Sequence, residues 1–247
     1  MKFLFFNVLL AALPLWSDAK SSAPESSPVA SIQEPIFHWN KSCNDNGLTI
    51  YWSKVEGSQV IAFRGEGIID APIEKVASII IDTTRATEWV DSLVSSKMVR
   101  DVSPVEFIEY DHAGIPFPFT AVMSDRDFVS RVTVESDPKT PRLMVNYNPA
   151  EDNLAPLTRK CVRGVMTCVF KMVPMTLGDE TYVEAEVHCD PKGGVPKWLV
   201  NFFQQGWPQT TFENLRRQVK KPDIQILPVV ESLLRKSPVK LVQSNKK

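Results

Sequence analysis

The residues of this sequence that could do chemistry stand together on one predicted strand. Tyr110, Asp111 and His112 are consecutive, and with Arg131 they are the candidate polar contacts for a ligand. A phenol, a carboxylate and an imidazole that converge on one site could exchange protons with a substrate. Such a histidine more often makes a structural hydrogen bond, and an aspartate on a half-exposed strand more often faces solvent. These residues therefore suggest a site without defining a reaction.

The motifs of common enzyme classes are missing from the sequence. It has no Gly-x-Ser-x-Gly nucleophile elbow, no phosphate-binding loop and no His-Glu-x-x-His zinc motif. The three histidines, His38, His112 and His188, are scattered, and the pair His188-Cys189 alone does not make a metal site. We therefore expect no catalytic residues, no metal and no cofactor.

The charge balance argues against nucleic acid as a partner. The 247 residues include 28 Lys and Arg and 29 Asp and Glu, which gives a net charge of -1 without a basic excess. From Arg216 to the end there are nine basic residues and two acidic ones, Asp223 and Glu231. A cationic segment of this kind could contact an anionic membrane surface transiently. A simpler interpretation is a helix C-terminus with favourable cations, followed by a solvated tail.

The spacing of apolar residues predicts a chain of mixed α and β structure. Two N-terminal strands precede two short helices, of which the first is capped by Asp70 and the second begins at Asp82 or Thr83. Six further strands with short links predict an antiparallel meander. The predicted strands cover residues 48–53, 59–69, 94–102, 105–113, 127–135, 142–147, 161–173 and 181–189.

Two apolar segments complete this pattern. Residues 114–119 are apolar but contain two prolines, so they cannot form a central strand and should cover something apolar. The last element is a helix from Val195 whose apolar residues recur at intervals of three and four, and Pro208 should kink it near Gln204. The order of elements predicts an α+β fold in which the last helix lies on the concave face of a curved sheet.

Several short motifs, in this order, resemble those of StAR-related lipid-transfer (START) domains. They correspond to the Arg-Asp-Phe-Val strand, the C-terminal helix and the earlier helix pair of that family. Each motif is short, but their order and spacing together are specific, and the resemblance covers roughly residues 37–219. The matching segments are SDRDFVS at 124–130, GVPKWLVN at 194–201, FENLR at 212–216, DAPIEKV at 70–76 and RATEW at 85–89.

The resemblance implies a helix-grip fold, in which a curved antiparallel sheet wraps the final helix and encloses an apolar cavity for one lipid-like molecule. It also implies a lid made of residues 115–124 and the helix at 195–217. Each methylene group moved from water into such a cavity contributes about 0.8 kcal/mol, so a lipid can bind without any catalytic group. The residues predicted to line the cavity are Ile115, Phe117, Phe119, Met123, Met144, Tyr147, Met166, Leu199, Phe202 and Phe203.

The sequence departs from the family at one polar site. Some family members pair a cavity acid with an arginine six positions after the motif arginine. The acid position falls near Asp111, but the arginine position falls on Val132, and the neighbouring Arg131 has the opposite strand parity. A shift of one residue moves a side chain to the other face of a strand. The buried charge pair, and any ligand inference that depends on it, is therefore without support from the sequence.

The ends of the chain indicate export. An apolar run from Phe3 to Trp16, followed by small residues, has the layout of a secretory signal peptide, with an uncleaved anchor as the alternative. A Ser-, Pro- and Ala-rich stretch after it should be a flexible leader. We expect an exported monomer, in a periplasm or secreted. The predicted regions are a signal peptide at 1–19, a leader at 20–34, a START-like domain at 35–219 and a basic tail at 220–247.

The function predicted from the sequence is the binding and transfer of a lipid or another hydrophobic small molecule. One alternative is a helix-grip enzyme of the polyketide-cyclase type, which would need Tyr110, Asp111 and His112 to face the cavity together. A second alternative is a ligand-gated interaction protein that uses its basic tail to find a partner or a membrane.

Overall fold

A curved antiparallel sheet forms most of the structure. The computed structural model describes residues 37–115, 123–175 and 178–235. Over these ranges the chain has ten strands, four α-helices and one 3₁₀ helix at Thr83–Glu88. The helices are α1 Ile73–Ile81, α2 Lys197–Gln204, α3 Trp207–Gln218 and α4 Pro228–Arg235. The strands are β1 Asn40–Asp45, β2 Leu48–Ser53, β3 Ala62–Ile69, β4 Leu93–Ser103, β5 Glu106–Ala113, β6 Asp125–Ser136, β7 Leu143–Pro149, β8 Cys161–Arg163, β9 Val165–Pro174 and β10 Thr181–Asp190.

The strand order defines the curved sheet that lies around the helices. The order across the sheet is β1-β2-β3-β10-β9-β7-β6-β5-β4, with antiparallel pairing at each step of this path. The short β8 lies off the path and pairs in parallel with β6. The fold class is therefore α+β with a curved antiparallel sheet and a C-terminal helix, as the sequence predicts.

The last long helix packs closely against the N-terminal strands. Phe212 and Leu215 of α3 are fully buried on the concave side of the sheet. A Cβ atom at Gly65 or Gly67 of β3 would lie 2.9 Å or 3.2 Å from the ring of Phe212. These two positions need glycine because any larger residue would push α3 away from the sheet. Because these two positions of β3 have no side chain, α3 can pack directly against the strand.

The predicted kink in the C-terminal helix is confirmed, and it is large enough to separate two helices. The segment α2 ends at Gln204 and α3 begins at Trp207, with Gly206 at the junction. Pro208 lies in the first turn of α3, where its missing N–H leaves no hydrogen bond unmade. A continuous helix through this point would need the N–H that Pro208 lacks, so α2 and α3 meet at a joint instead.

Two details of the sheet differ from the prediction. Strand β1, at residues 40–45, was not predicted, because its exposed polar residues do not alternate with apolar ones. The predicted strand at 161–173 is divided at Gly164, whose N–H donates to the carbonyl of Asp127 at 2.9 Å. A Cβ atom at Gly164 would lie 2.3 Å from the ring of Phe128, so this ring occupies the place of a side chain and interrupts the strand.

The prediction of a basic tail from residue 220 needs correction for residues 228–235. This segment forms α4, whose Val230 and Leu233 are buried in the main hydrophobic core. The N–H of Leu227 donates to Ser78 Oγ of α1 at 2.9 Å, which fixes the start of α4. The segment folds because its apolar side chains repeat at helical spacing, within a tail that is basic as a whole.

The predicted signal peptide and leader, residues 1–34, lie outside the described residues, as does the end of the tail, 236–247. None of the helices in the described ranges has the length and hydropathy of a membrane-spanning segment.

Candidate functional site

A cavity of about 490 Å³ lies between the concave face of the sheet and the two C-terminal helices. Its walls come from the end of α1, the segment between the 3₁₀ helix and β4, the strands β5, β7 and β9, and the inner sides of α2 and α3. Most of its surface is apolar, as expected for a pocket that binds by excluding water. Apolar walls are provided by Ile80, Trp89, Met166, Phe170, Leu199 and Trp207.

A cluster of aromatic rings forms one wall of the cavity. The ring centroid of Phe170 lies 6.4 Å from Trp89, 6.3 Å from Tyr147 and 6.5 Å from Trp207, mostly in edge-to-face or tilted contacts. The hydroxyl of Tyr147 donates to the carbonyl of Ile80 at 2.8 Å. Burial raises the pKa of Tyr147 well above its usual value, so this phenol stays neutral. The wall is therefore apolar in character, although it contains a tyrosine.

The polar lining of the cavity includes two acids of β5, Glu109 and Asp111. The Oγ of Ser96 on β4 donates to Glu109 Oε1 at 2.6 Å. Burial raises the pKa of Glu109 to about 8, and the nearby charge of Asp111 adds to this rise. Burial also raises the pKa of Asp111, to about 6, against the opposing effect of hydrogen bonds to Ser96 and Glu109. The two carboxyl groups thus resist becoming charged together.

Arg126 is the cation among the cavity-lining residues of the described chain, and its donors are already engaged. Its Nε donates to the carbonyl of Pro191 at 2.8 Å, and its Nη2 lies 3.5 Å from the carbonyl of Lys192. Its Nη1 donates to the carbonyl of Ser124. Burial lowers the pKa of Arg126. The side chain therefore ties the start of β6 to the connection between β10 and α2, at the cavity edge.

The structure brings half of the predicted site residues to the cavity. They come from β5, β7, β9, α2 and the two ends of the lid loop. The cavity-lining residues that the sequence also predicted are Asp111, Ile115, Met123, Tyr147, Met166, Leu199 and Phe203.

Tyr110 and His112 are placed outside the cavity, contrary to the prediction. They flank Asp111 on β5, and successive side chains of a strand point to opposite faces. Tyr110 packs in a small apolar cluster on the outer face, with Lys97 Nζ 5.3 Å from its ring centroid. The Nε2 of His112 lies 2.9 Å from Asp125 Oδ2. The three acid–base groups that the enzyme alternative needs therefore do not converge.

Arg131 is also outside the cavity, because it occupies the outer face of β6. Its guanidinium forms an ion pair with Glu106 on the neighbouring strand, while Val132 beside it is fully buried. The arginine of the family's acid–arginine pair is therefore not present in this cavity, which agrees with the departure seen in the sequence.

The remaining predicted residues do not line the cavity either. Met144 of β7 lies between Glu135 and Lys171 in the sheet register, so it shares the outer face with these charged residues. Phe202 of α2 is 60% exposed. Phe117 and Phe119 lie outside the described residues.

The cavity residues that the sequence prediction missed include Glu109, Trp89 and Phe170. Glu109 has the same strand parity as Asp111, so alternation along β5 would have indicated it. Trp89 and Phe170 had the appearance of ordinary core residues, and only the curvature of the sheet reveals that they border a cavity.

The outer side of α2 exposes a cluster of aromatic residues next to the cavity. Trp198 is 70% exposed and Phe202, one helical turn later, is 60% exposed. A contiguous exposed apolar patch often marks a site of interaction with a protein or a membrane. As for metals, the described side chains contain no group of three or more His, Cys, Asp or Glu residues that could hold an ion.

Comparison with known proteins finds relatives in bacteria and in animals. The uncharacterized protein PA1579 of Pseudomonas aeruginosa is 25% identical over 184 residues, which cover 74% of this chain and 87% of that protein. StAR-related lipid transfer protein 5 of mouse is 25% identical over 215 residues, which cover 84% of this chain and 98% of the relative.

A solved structure and a family description agree with these relatives. The crystal structure of the STAR-related lipid transfer protein of Xanthomonas axonopodis superposes with a TM-score of 0.66 at 26% identity. The superposition covers 74% of this chain and 99% of that one. The START domain model matches residues 30–220, which is most of the chain. With its curved sheet, its C-terminal helices and its internal apolar cavity, the protein belongs to the START domain family.

Proposed function

We propose that this protein binds one lipid, or another hydrophobic small molecule, in its internal cavity and transfers it between membranes. The observation that carries the proposal is the apolar cavity of about 490 Å³ beneath α2 and α3. Two of the similar proteins are named as lipid transfer proteins, which supports the same function here. We propose that the ligand contacts Asp111, Ile115, Met123, Tyr147, Met166, Leu199 and Phe203.

The size and character of the walls are sufficient for useful affinity. Burying about ten methylene groups contributes about 8 kcal/mol, which is the free energy of micromolar binding. The loss of translational freedom on binding reduces this figure, and polar contacts at one end of the ligand add to it. The aromatic wall around Phe170 offers flat surfaces that fit either an acyl chain or a ring system.

We propose that α2 and the loop ending at Met123 form the gate. The joint at Gly206 allows α2 to swing while α3 stays anchored to β3 through Phe212. The exposed Trp198 and Phe202 give α2 an aromatic face that fits the headgroup region of a bilayer. Contact with a membrane would thus place the gate where lipid enters and leaves.

Binding, rather than catalysis, is the function that the cavity favours. Tyr110 and His112 face away from it, and the described cavity lining contains no histidine or lysine that could act as a base beside Glu109 and Asp111. We further propose that the protein is exported, because residues 1–19 have the pattern of a signal peptide, and that it acts as a monomer. Secretion and residence in a periplasm are both consistent with that pattern.

The proposal is tested by filling the cavity. Leu199 of α2 lines the cavity, so we expect L199W to weaken the binding of a fluorescent fatty-chain probe to the purified full chain by at least about tenfold. Phe202 lies on the exposed side of the same helix, so F202W is the matched control and should bind the probe like the native protein. If the native protein binds no such probe, or if both variants bind equally well, the proposed function is wrong.

A further inference from the structure

Two carboxyl oxygens in the wall of the cavity have no hydrogen-bond partner among the described residues. They are Glu109 Oε2 and Asp111 Oδ1, and the neighbouring Ser130 Oγ, which does not line the cavity, also lacks a partner. Glu109 is 5% exposed and Ser130 is 1% exposed, and the two residues face each other across the β5–β6 ladder. Leaving a buried polar group unsatisfied is costly, and such atoms are rare in folded proteins. Two such carboxyl oxygens in the wall of an apolar cavity indicate that something else completes this site.

The charge of the acid pair is also unbalanced. Burial raises the pKa of both Glu109 and Asp111, so a negative charge on this pair is costly unless a cation lies beside it. In the described part of the chain no cation pairs with these two carboxyl groups. Arg131 faces outward to Glu106, and Arg126 is held by backbone carbonyls at the cavity edge. A buried charge is stable only when it is paired and hydrogen-bonded. The missing partner should therefore be a cation that hydrogen-bonds.

We propose that the ligand of this cavity is a lipid with a protonated amine as its headgroup, held against Glu109 and Asp111. A primary ammonium has three N–H donors and no acceptor, so it can donate to both unpartnered carboxyl oxygens at once. A neutral hydroxyl offers a single donor, and it leaves the charge unpaired. A carboxylate or phosphate headgroup would be repelled by the acid pair. This inference rests on the proposed lipid-binding function and specifies the headgroup.

The test compares three probes that share one chain and differ only in headgroup: dodecylamine, dodecanol and dodecanoic acid. Binding to the full chain is measured by isothermal titration calorimetry at neutral pH, where the amine is protonated. Charge-assisted hydrogen bonds are stronger than neutral ones, so we expect the amine to bind about 10- to 100-fold more tightly than the alcohol. The acid should bind most weakly.

The double variant E109Q/D111N removes the charge while keeping the size of both side chains. We expect it to lose the preference for the amine over the alcohol while it still binds dodecanol, which also shows that it is folded. E106Q is the matched control, because Glu106 lies on the same strand but on the outer face, paired with Arg131. It should retain the preference of the native protein.

The possible outcomes separate this inference from the proposed function. If the native protein binds the amine no better than the alcohol, or binds the acid most tightly, the headgroup assignment is wrong while lipid binding stands. If the double variant keeps the native preference for the amine, the acid pair is not the headgroup site. If none of the three probes binds and the fatty-chain probe also fails, the proposed function itself is refuted.

Discussion

Removal of the carboxyl group of Glu109 should change how the stability of the ligand-free protein depends on pH. In the folded state this carboxyl is buried beside Asp111, and its pKa rises from 4.5 to about 8. The folded protein therefore holds the proton of Glu109 more tightly than the unfolded chain does. Stability from this group is fully present below pH 4.5 and is lost as the pH rises toward 8.

The size of the effect follows from the same difference. One pH unit of pKa change corresponds to 1.36 kcal/mol, so the rise from 4.5 to about 8 amounts to about 5 kcal/mol of unfolding free energy. Asp111 titrates with Glu109 as a pair, so the loss is shared between them. In E109Q the amide cannot ionise, and it can donate a hydrogen bond to Asp111, which lowers the cost of the remaining charge. The variant should therefore lose much less stability over this range.

The assay is urea unfolding of the native protein and of E109Q at a series of pH values from 4.5 to 8. Other groups that face the pair, Tyr147 and Cys168, have raised pKa values and stay neutral throughout. Burial lowers the pKa of His188, so its contribution rises with pH, but it is the same in both proteins and cancels in their difference. The difference should grow by several kcal/mol in favour of E109Q. If the free energies of unfolding of the two proteins changed in parallel with pH, a buried carboxyl with a raised pKa at this site would be refuted. The outer-face control E106Q should run parallel to the native protein.

Three further variants test other parts of the structure. G164A should cost about 1–3 kcal/mol in urea unfolding, because its Cβ would lie 2.3 Å from the ring of Phe128, whereas G194A, which meets nothing within 4 Å, should be neutral; equal stabilities would contradict the packing at Gly164. L233A should cost about 2–3 kcal/mol by the same measurement because α4 is part of the core, and no loss would restore the idea of a solvated tail. W198A should reduce sedimentation of the protein with lipid vesicles while leaving the affinity for a soluble fatty-chain probe unchanged; unchanged sedimentation would remove α2 from the membrane contact.

Much of the fold could be predicted because local signals and tertiary packing agree in this chain. Strands 48–53, 105–113 and 181–189 have alternating residues bounded by turn signals, and the structure gives them nearly the same limits. Pro208 predicted the break between α2 and α3 because proline removes a donor wherever it stands in a helix. Such features depend on neighbours in the sequence, so the sequence is enough to find them.

The site was harder to predict because it depends on which face each strand turns inward. Tyr110, Asp111 and His112 were grouped by their chemistry, yet a strand cannot direct three consecutive side chains to one side. Choosing Asp111 leads by alternation to Glu109, but the choice itself requires knowing where the sheet curves. Similarly, α4 was not predicted, because its burial depends on contacts with α1, a helix that is distant from it in the sequence.

Native mass spectrometry of the full protein purified from its source organism tests the lipid-carrier function most directly. Comparison of the native mass with the denatured mass of the same sample reports any molecule held in the cavity. We expect a single additional mass of one hydrophobic molecule, recovered on extraction with organic solvent and carrying an amine, and we expect L199W to lack it. A native mass equal to the denatured mass, with no lipid in the extract, would contradict lipid carriage.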